Sequence, residues 1–441
     1  MLGGCWGWGV QPRARTTHPS NTLSTRARIA PLPLRKRLGH GWGSPLSAPS
    51  ATDSIHAILK RGTTAMSQKR VIVAMSGGVD SSVAALLLKQ AGYQVVGVTL
   101  RLFTLYRPTA APLSRSCCSL EDIHDARRVC QVLDIPHYVL NAEREFRTFV
   151  VDYFVGEYQR GRTPNPCIAC NDRIKFAFLL QRAMALGADL VATGHYARVV
   201  ERHGVYSLLK AVDESKDQSY VLFGLGQEQL ARLLFPIGWY SKAEVRQIAQ
   251  TAGLPVARKP DSQEICFVLS GDYREFLRQH GVGRPGDIVD TEGRVLGRHE
   301  GVEFFTIGQR RGLGVARGTP LYVVGIDAPR ARVIVGPEEA LYQQSLRAEG
   351  VNWVEGPPGA PVEAQVKVRY KAPAVAATIT PIGSDTAMVA FHEPQRAITP
   401  GQAVVFYEGE RVLGGGFIAS PYPQDTPAPS VSAGVCTVGA S

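Results

Sequence analysis

The sequence predicts an α/β protein: a doubly wound parallel-sheet nucleotide-binding domain, then a small β-rich central domain and a C-terminal β-barrel. Three observations carry this. From residue 70 short apolar runs alternate with amphipathic stretches, as a parallel sheet with crossover helices requires. The stretch "AMSGGVDSS" (74–82) stands where the first run meets the first helix. Beyond about residue 272 the helical period gives way to β-prone runs cut by Gly, Pro and Asp turns.

Each element follows in order. "VIVAM" (71–75) reads as a buried strand, "SSVAALLLKQAG" as a helix ended by Gly92, and "QVVGVTLRLF" as the next strand. "SLEDIHDARRVCQVLD" places Ile123, Ala126, Cys130 and Leu133 at helical spacing, with Ser119 as the expected N-cap. "HYVLN" follows as a strand, and the next helix carries Phe146, Phe149, Val150 and Phe154 on one stripe, expected in the core. After the loop "GRTPNPCIACN" come the helix "DRIKFAFLLQRAMALG" and the strand "ADLVATGHYA". The expected boundaries are 66–272 for the catalytic domain, 273–345 for the central domain and 346–421 for the barrel. Residues 422–441 read as a disordered tail.

The chain has 441 residues and a formal net charge of +11. Residues 1–65 hold nine Lys/Arg against Asp53 alone, or +8, which leaves +3 for the remainder. Any basic surface is therefore local, and the overall charge is a weak argument for nucleic acid. The 1–65 leader reads as a disordered or spurious extension, with an organellar transit peptide as the alternative. The expected compartment is accordingly cytoplasmic, or organellar if the leader is a targeting segment. No run reaches the ~20 apolar residues of a membrane helix. Eight cysteines in so long a chain, without a secretory signal, do not read as a disulfide framework.

The glycine loop has a chemical reading. A strand that turns abruptly into a helix exposes unpaired N–H groups, which with the helix dipole form an anion site. Gly77 and Gly78 allow close backbone approach to a phosphate, and Ser76, Ser81 and Ser82 add hydroxyl donors. Neither a Walker A lysine nor GxGxxG is present. Asp80 in the loop implies a bridging Mg²⁺. The bland alternative is a tight turn with a capping Asp or Ser.

The cysteine loops are the second chemical feature. Pro164 and Pro166 stiffen the approach to Cys167-x-x-Cys170, and a thiol at a helix start has its pKa lowered by the dipole. Such a thiol is a nucleophile or a metal ligand. Cys266 in "RKPDSQEICFV" reads, taken alone, as a small buried hydrophobe. Cys130 reads as core, while Cys117 and Cys118 are ambiguous. Zinc is a minority reading because no second CxxC or HxxxH is present.

The motifs "SGGVDSS", "GRTPNPCIACN", "ATGHYAR", "SKDQSYVL", "DSQEICF" and "IGQRRGLG", in this order, resemble the bacterial-type tRNA-specific 2-thiouridylase family, within the ATP pyrophosphatases. The resemblance runs from about Met66 to Ser420. It implies ATP-dependent adenylation of the C2 oxygen of the wobble uridine, then replacement of that oxygen by sulfur, with tRNA and a sulfur-donor protein as partners. By resemblance, Ala74, Met75, Ser76, Gly77, Gly78, Val79, Asp80, Ser81, Leu100 and Gly194 bind ATP. Cys170 matches the nucleophile and Cys266 the persulfide carrier, the two pairing as a disulfide during turnover. Asn165, Pro166 and Cys167 match the segment at the target base. His195, Lys216, Asp217 and Gln218, with Arg369, Tyr370 and Gln402 in the barrel, match tRNA-contacting positions. Taken alone, His195 reads as a hydrogen-bonded turn histidine. Many members carry aspartate where this chain has Cys167, so Cys167, Cys170 and Cys266 are alternatively ligands of an iron–sulfur cluster. Arg310 and Arg311 in "IGQRRGLG" suit phosphate contacts.

Overall fold

The structure is a computed structural model that describes residues 69–103, 120–261, 265–268, 271–315 and 318–421. The leader, Ser119, Cys117, Cys118 and the tail from 422 lie outside the described residues.

The first sheet is parallel. Its strands are β1 (Arg70–Ala74), β2 (Gln94–Arg101), β3 (His137–Asn141), β4 (Leu190–Ala192) and β7 (Leu233–Leu234), in the order β3-β2-β1-β4-β7. Between β4 and β7 the chain forms a hairpin, β5 (Ala197–Arg202) and β6 (Val205–Lys210). The strand order reverses at β1, whose neighbours are β2 on one side and β4 on the other. Such a switch point opens a crevice at the carboxyl ends of the strands. Helix α1 (Val79–Gln90) leaves β1 there, α2 (Leu120–Val132) crosses from β2 to β3, and the short α3 (Pro166–Ala169) precedes β4. Eight residues of α1 are buried, Ser81 and Ser82 among them, because the helix lies between the sheet and α4 (Lys242–Thr251). The expected helix end is present: Gly92 has φ +88°, a left-handed conformation that favours glycine.

The expected stripe on the helical region after β3 needs one correction. Phe146, Val150 and Phe154 are buried, but Phe149 is 47% exposed. Residues 147–151 form a π-helical turn, which is wider than an α-turn. Positions four apart therefore stay in register with the core, and the position three along from Phe146 turns outward.

The central domain has its own four-stranded sheet of β8 (Gly286–Asp290), β9 (Val295–His299), β10 (Tyr322–Asp327) and β11 (Arg332–Gly336). The third sheet contains β12 (Tyr342–Trp353), β13 (Val362–Lys367), β14 (Val375–Pro381), β15 (Thr386–Arg396), β16 (Ala403–Glu408) and β17 (Arg411–Ile418). Pairing of β12 with both β15 and β17 closes these six strands into a barrel. The β5–β6 hairpin of the first domain joins the same sheet through β17, by the pair Arg411 and Leu209. In the barrel core, Leu346, Val366, Ile379 and Val389 follow the inward half of the alternation in β12 to β15, while β16, with Val404 and Phe406, is buried on both faces.

Candidate active site

At the end of β1 the chain makes the expected turn. Gly77 has φ +70°, and a Cβ there would overlap the Asp122 carbonyl, so both conformation and space require glycine. Gly78 is the N-cap of α1 without a side-chain cap, which leaves the first-turn N–H groups facing the loop. The Ser81 hydroxyl accepts from the Ser76 N–H at 3.2 Å, and the Ser82 hydroxyl donates to the Gly78 carbonyl at 2.7 Å. Gly194, just after β4, packs so closely on α1 that a Cβ would be 2.5 Å from the Ser81 nitrogen. Of the resemblance-derived ATP positions, Met75, Val79 and Leu100 are buried, Met75 and Val79 in one core cluster and Leu100 in another.

Asp80 does not face the loop unaccompanied. Lys242 Nζ lies 2.7 Å from its Oδ1 and 2.8 Å from its Oδ2, and the Tyr196 hydroxyl donates to Oδ1 at 2.9 Å. Lys242 also pairs with Asp261 at 2.9 Å, and Asp261 further takes Lys216 at 2.9 Å and Arg246 at 2.8 Å. Partial burial pushes the Asp261 carboxyl up, but hydrogen bonds from Lys242 and Lys216 outweigh it and hold the group at about 2. On the other flank, Lys259 Nζ binds the Gly77 carbonyl at 3.0 Å and both Asp122 and Asp125 at 2.7 Å. Burial works against the Lys259 charge, and the two carboxylates prevail, so its pKa is raised. Lys242, Lys259 and Asp261 are positions of this site that sequence reasoning missed. The available signal is the run "RKPD" (258–261) ahead of Cys266, whose charges a local reading assigns to a polar surround.

The Cys167–Cys170 segment is α3 followed by a π-helical stretch over Cys170–Phe178. Asn165 caps it by accepting from the Cys167 N–H at 3.1 Å, and Pro166 occupies a first-turn position where no N–H is needed. Cys167 is exposed, Cys170 and Cys266 are half-buried, and none of the three is joined in a disulfide. The pairing of Cys170 with Cys266 that the resemblance implies is thus not formed in this structure. Both do pack against one hydrophobic core cluster. Cys130 is buried as expected, and burial pushes its thiol up to about 11.

The expected tRNA positions divide into two kinds. His195 is only 7% exposed; its Nδ1 meets the Thr193 hydroxyl at 2.7 Å and its ring packs edge-on to Phe235. Burial lowers its pKa well below the usual value, so it is a neutral, oriented ring behind Gly194 rather than a cation on the surface. Asp217 accepts from the Ala211 and Ser219 N–H groups, and Gln218 accepts from the Tyr196 N–H at 2.9 Å, so both hold the turn in shape. In the barrel, Arg369 donates to the Thr399 hydroxyl at 2.9 Å and Tyr370 to the Asp217 carbonyl at 3.1 Å. Gln402 donates to the Thr163 carbonyl at 2.7 Å, and the Thr163 N–H donates to the Pro400 carbonyl at 2.8 Å. The barrel thus grips the loop that leads to Cys167.

Three family models match the chain in sequence: "tRNA methyl transferase HUP domain" over residues 69–270, "tRNA methyl transferase PRC-barrel domain" over 274–337 and "Aminomethyltransferase beta-barrel domain" over 343–418. A tRNA-specific 2-thiouridylase MnmA of Geobacter metallireducens is 54% identical over 80% of this chain and 98% of its own length. That of Roseiflexus castenholzii is 54% identical over 79% of this chain and 99% of its own. The chain belongs to the tRNA-specific 2-thiouridylase family. It is a tRNA-uridine 2-sulfurtransferase that thiolates the wobble uridine. Among solved structures, a U34-tRNA thiolase NcsA of Methanococcus maripaludis with its [4Fe-4S] cluster aligns over 52% of this chain and 71% of that one, with 16% identity and a TM-score of 0.32.

Proposed function

We propose that residues 74–81 and Gly194 hold ATP at the carboxyl end of β1, that Cys170 is the nucleophile, and that Cys266 carries the transferred sulfur as a persulfide. The observation that carries this reading is the uncapped start of α1 beside Gly77, at the point where the strand order reverses. A triphosphate there would meet the first-turn N–H groups, with Lys259 on the Gly77 side and Lys242 on the Asp80 side. The wobble uridine's O2 attacks the α-phosphorus and pyrophosphate leaves, which turns a poor leaving group into AMP. The terminal sulfur of the Cys266 persulfide then attacks C2 and AMP departs. Cys170 attacks the Cys266 Sγ, the S–S bond breaks toward the base, and the two cysteines are left as a disulfide that an external thiol reduces.

Asp80 is the residue that would hold a Mg²⁺ arriving with the phosphates of ATP. Both oxygens of Asp80 are engaged by Lys242, so the repulsion that implied a cation is already relieved by an ammonium group. Among the described residues no group of three His, Cys, Asp or Glu side chains is placed to hold a metal ion. No described helix is long and apolar enough to cross a membrane. A sulfur-donor protein and a cytoplasmic location complete the proposal.

The test is nucleoside mass spectrometry of unmodified tRNA incubated with the protein, ATP-Mg and a cysteine-desulfurase donor. A mass gain of about 16 on the wobble uridine, lost in Cys170→Ala and in Cys266→Ala, is expected from the exchange of oxygen for sulfur. Thiolation that persists in either variant would refute the cysteine roles.

A further inference from the structure

Cys167 is the thiol for which the proposed reaction has no use. It stands three residues before Cys170 in one continuous helical segment, α3 running into the stretch over Cys170–Phe178. Residues three apart on a helix lie on neighbouring positions of one face, with Cβ atoms about 5–6 Å apart. A disulfide needs about 3.5–4.5 Å, so a local adjustment of the first turn is enough to join them.

The three cysteines differ in access. Cys167 is exposed, whereas Cys170 and Cys266 are half-buried and pack against the large core cluster. A disulfide between the two half-buried sulfurs is shielded from a bulky reductant. Moving it to the exposed position would make it reachable.

The chain is anchored ahead of Cys167 by contacts that a small shift of the first turn can accommodate. Asn165 accepts from the Cys167 N–H at 3.1 Å, Pro166 stands in the first turn, and Thr163 is tied to the barrel through Pro400 and Gln402.

We propose that Cys167 is the resolving thiol of the catalytic cycle, converting the half-buried Cys170–Cys266 disulfide into a more exposed Cys167–Cys170 disulfide that a dithiol reductant can open. This rests on the reading of Cys170 and Cys266 given above. The exchange balances: the Cys167 thiolate attacks the Cys170 Sγ, one S–S bond forms as another breaks, and Cys266 leaves as a thiolate ready for the next sulfur. No net oxidation occurs in that step. The two electrons that reset the enzyme come from the external dithiol.

The test separates this step from the chemistry that precedes it. The full chain is equilibrated in graded mixtures of reduced and oxidised glutathione, quenched with an alkylating agent and mapped by peptide mass spectrometry. A Cys167–Cys170 pair should be the main disulfide at intermediate poise, and Cys167→Ser should replace it with Cys170–Cys266. With a protein dithiol as reductant, Cys167→Ser should slow repeated turnover at least about tenfold more than it slows a single turnover. Cys170–Cys266 disulfide should accumulate in the variant during turnover. Mapping that finds Cys167 reduced throughout, or a variant whose single and repeated turnovers fall equally, would overturn the proposal. A failure of the underlying reading looks different, because Cys170 and Cys266 would then form no disulfide in any variant.

Discussion

The glycine loop and the cysteine loop sit in the same domain, and their reactive ends are held by different means. The glycine loop is clamped by charge: Lys259 on Gly77, Asp122 and Asp125, and Lys242 on Asp80 and Asp261. The cysteine loop has a charged anchor only at its start, where Arg162 pairs with the buried Glu157 at 2.6 Å; nearer the thiols it is held by neutral contacts, the Asn165 cap and the hydrogen bonds from Thr163 and to its carbonyl from Gln402. A site for a polyanion profits from cations already fixed in place, since they need no reorganisation when the ligand arrives. A loop that must let sulfur atoms approach one another profits from contacts that can yield, and neutral hydrogen bonds are each worth only about 1 kcal/mol net.

The contrast can be broken at either end. The largest effect is expected from Cys170→Ala or Cys266→Ala, which should lower thiolation by at least about a thousandfold with ATP binding retained, measured by nucleoside mass spectrometry and nucleotide titration. Gly194→Ala should come next. Its Cβ would meet the α1 backbone at 2.5 Å, so ATP affinity should fall by at least about tenfold and stability by about 1–3 kcal/mol. Wild-type affinity in that variant would mean that β4 and α1 can separate without cost.

Lys242→Ala leaves two carboxylates, Asp80 and Asp261, without their shared cation. ATP affinity should drop about tenfold or more and recover partially with Lys242→Arg, read by nucleotide titration. The clamp also has an acid limit. Asp261 is partially buried, yet hydrogen bonds from Lys242 and Lys216 hold it at about 2, below the usual carboxylate value. A depressed carboxylate contributes stability above its unfolded pKa of about 4 and loses it as pH falls toward about 2. Denaturant titrations across that window should show a smaller loss in Asp261→Asn than in wild type. The smallest effect is expected at Gln402→Ala, about 1 kcal/mol or less in stability, with a larger change in tRNA affinity than in ATP affinity.

Much of the nucleotide crevice was legible because its signals are local. A strand, two glycines and a helix in immediate succession dictate the turn at Gly77, and the φ of +70° follows from it. The β-barrel was legible as alternating strands, although closure through β12 was not, since register between distant strands leaves no local mark. What escaped were the side-chain contacts that join separated segments. Lys259 lies 182 residues from the carbonyl it binds, and Lys242 lies 162 from Asp80. His195 belongs with them. Its turn and hydrogen bond are local features, but its burial comes from Phe176 and Phe235, which the chain brings in from either side. Phe149 failed for a geometric reason, the π-turn beneath it.

The hairpin of Ala197–Arg202 and Val205–Lys210 leaves the first domain and is stitched into the sheet of the last through β17, where the Lys210 N–H also donates to the Glu410 carbonyl. Peeling the barrel away would tear strand pairing as well as separate packed surfaces. Heating should accordingly melt both ends of the molecule in one step, and removal of the barrel should leave a frayed edge on what remains.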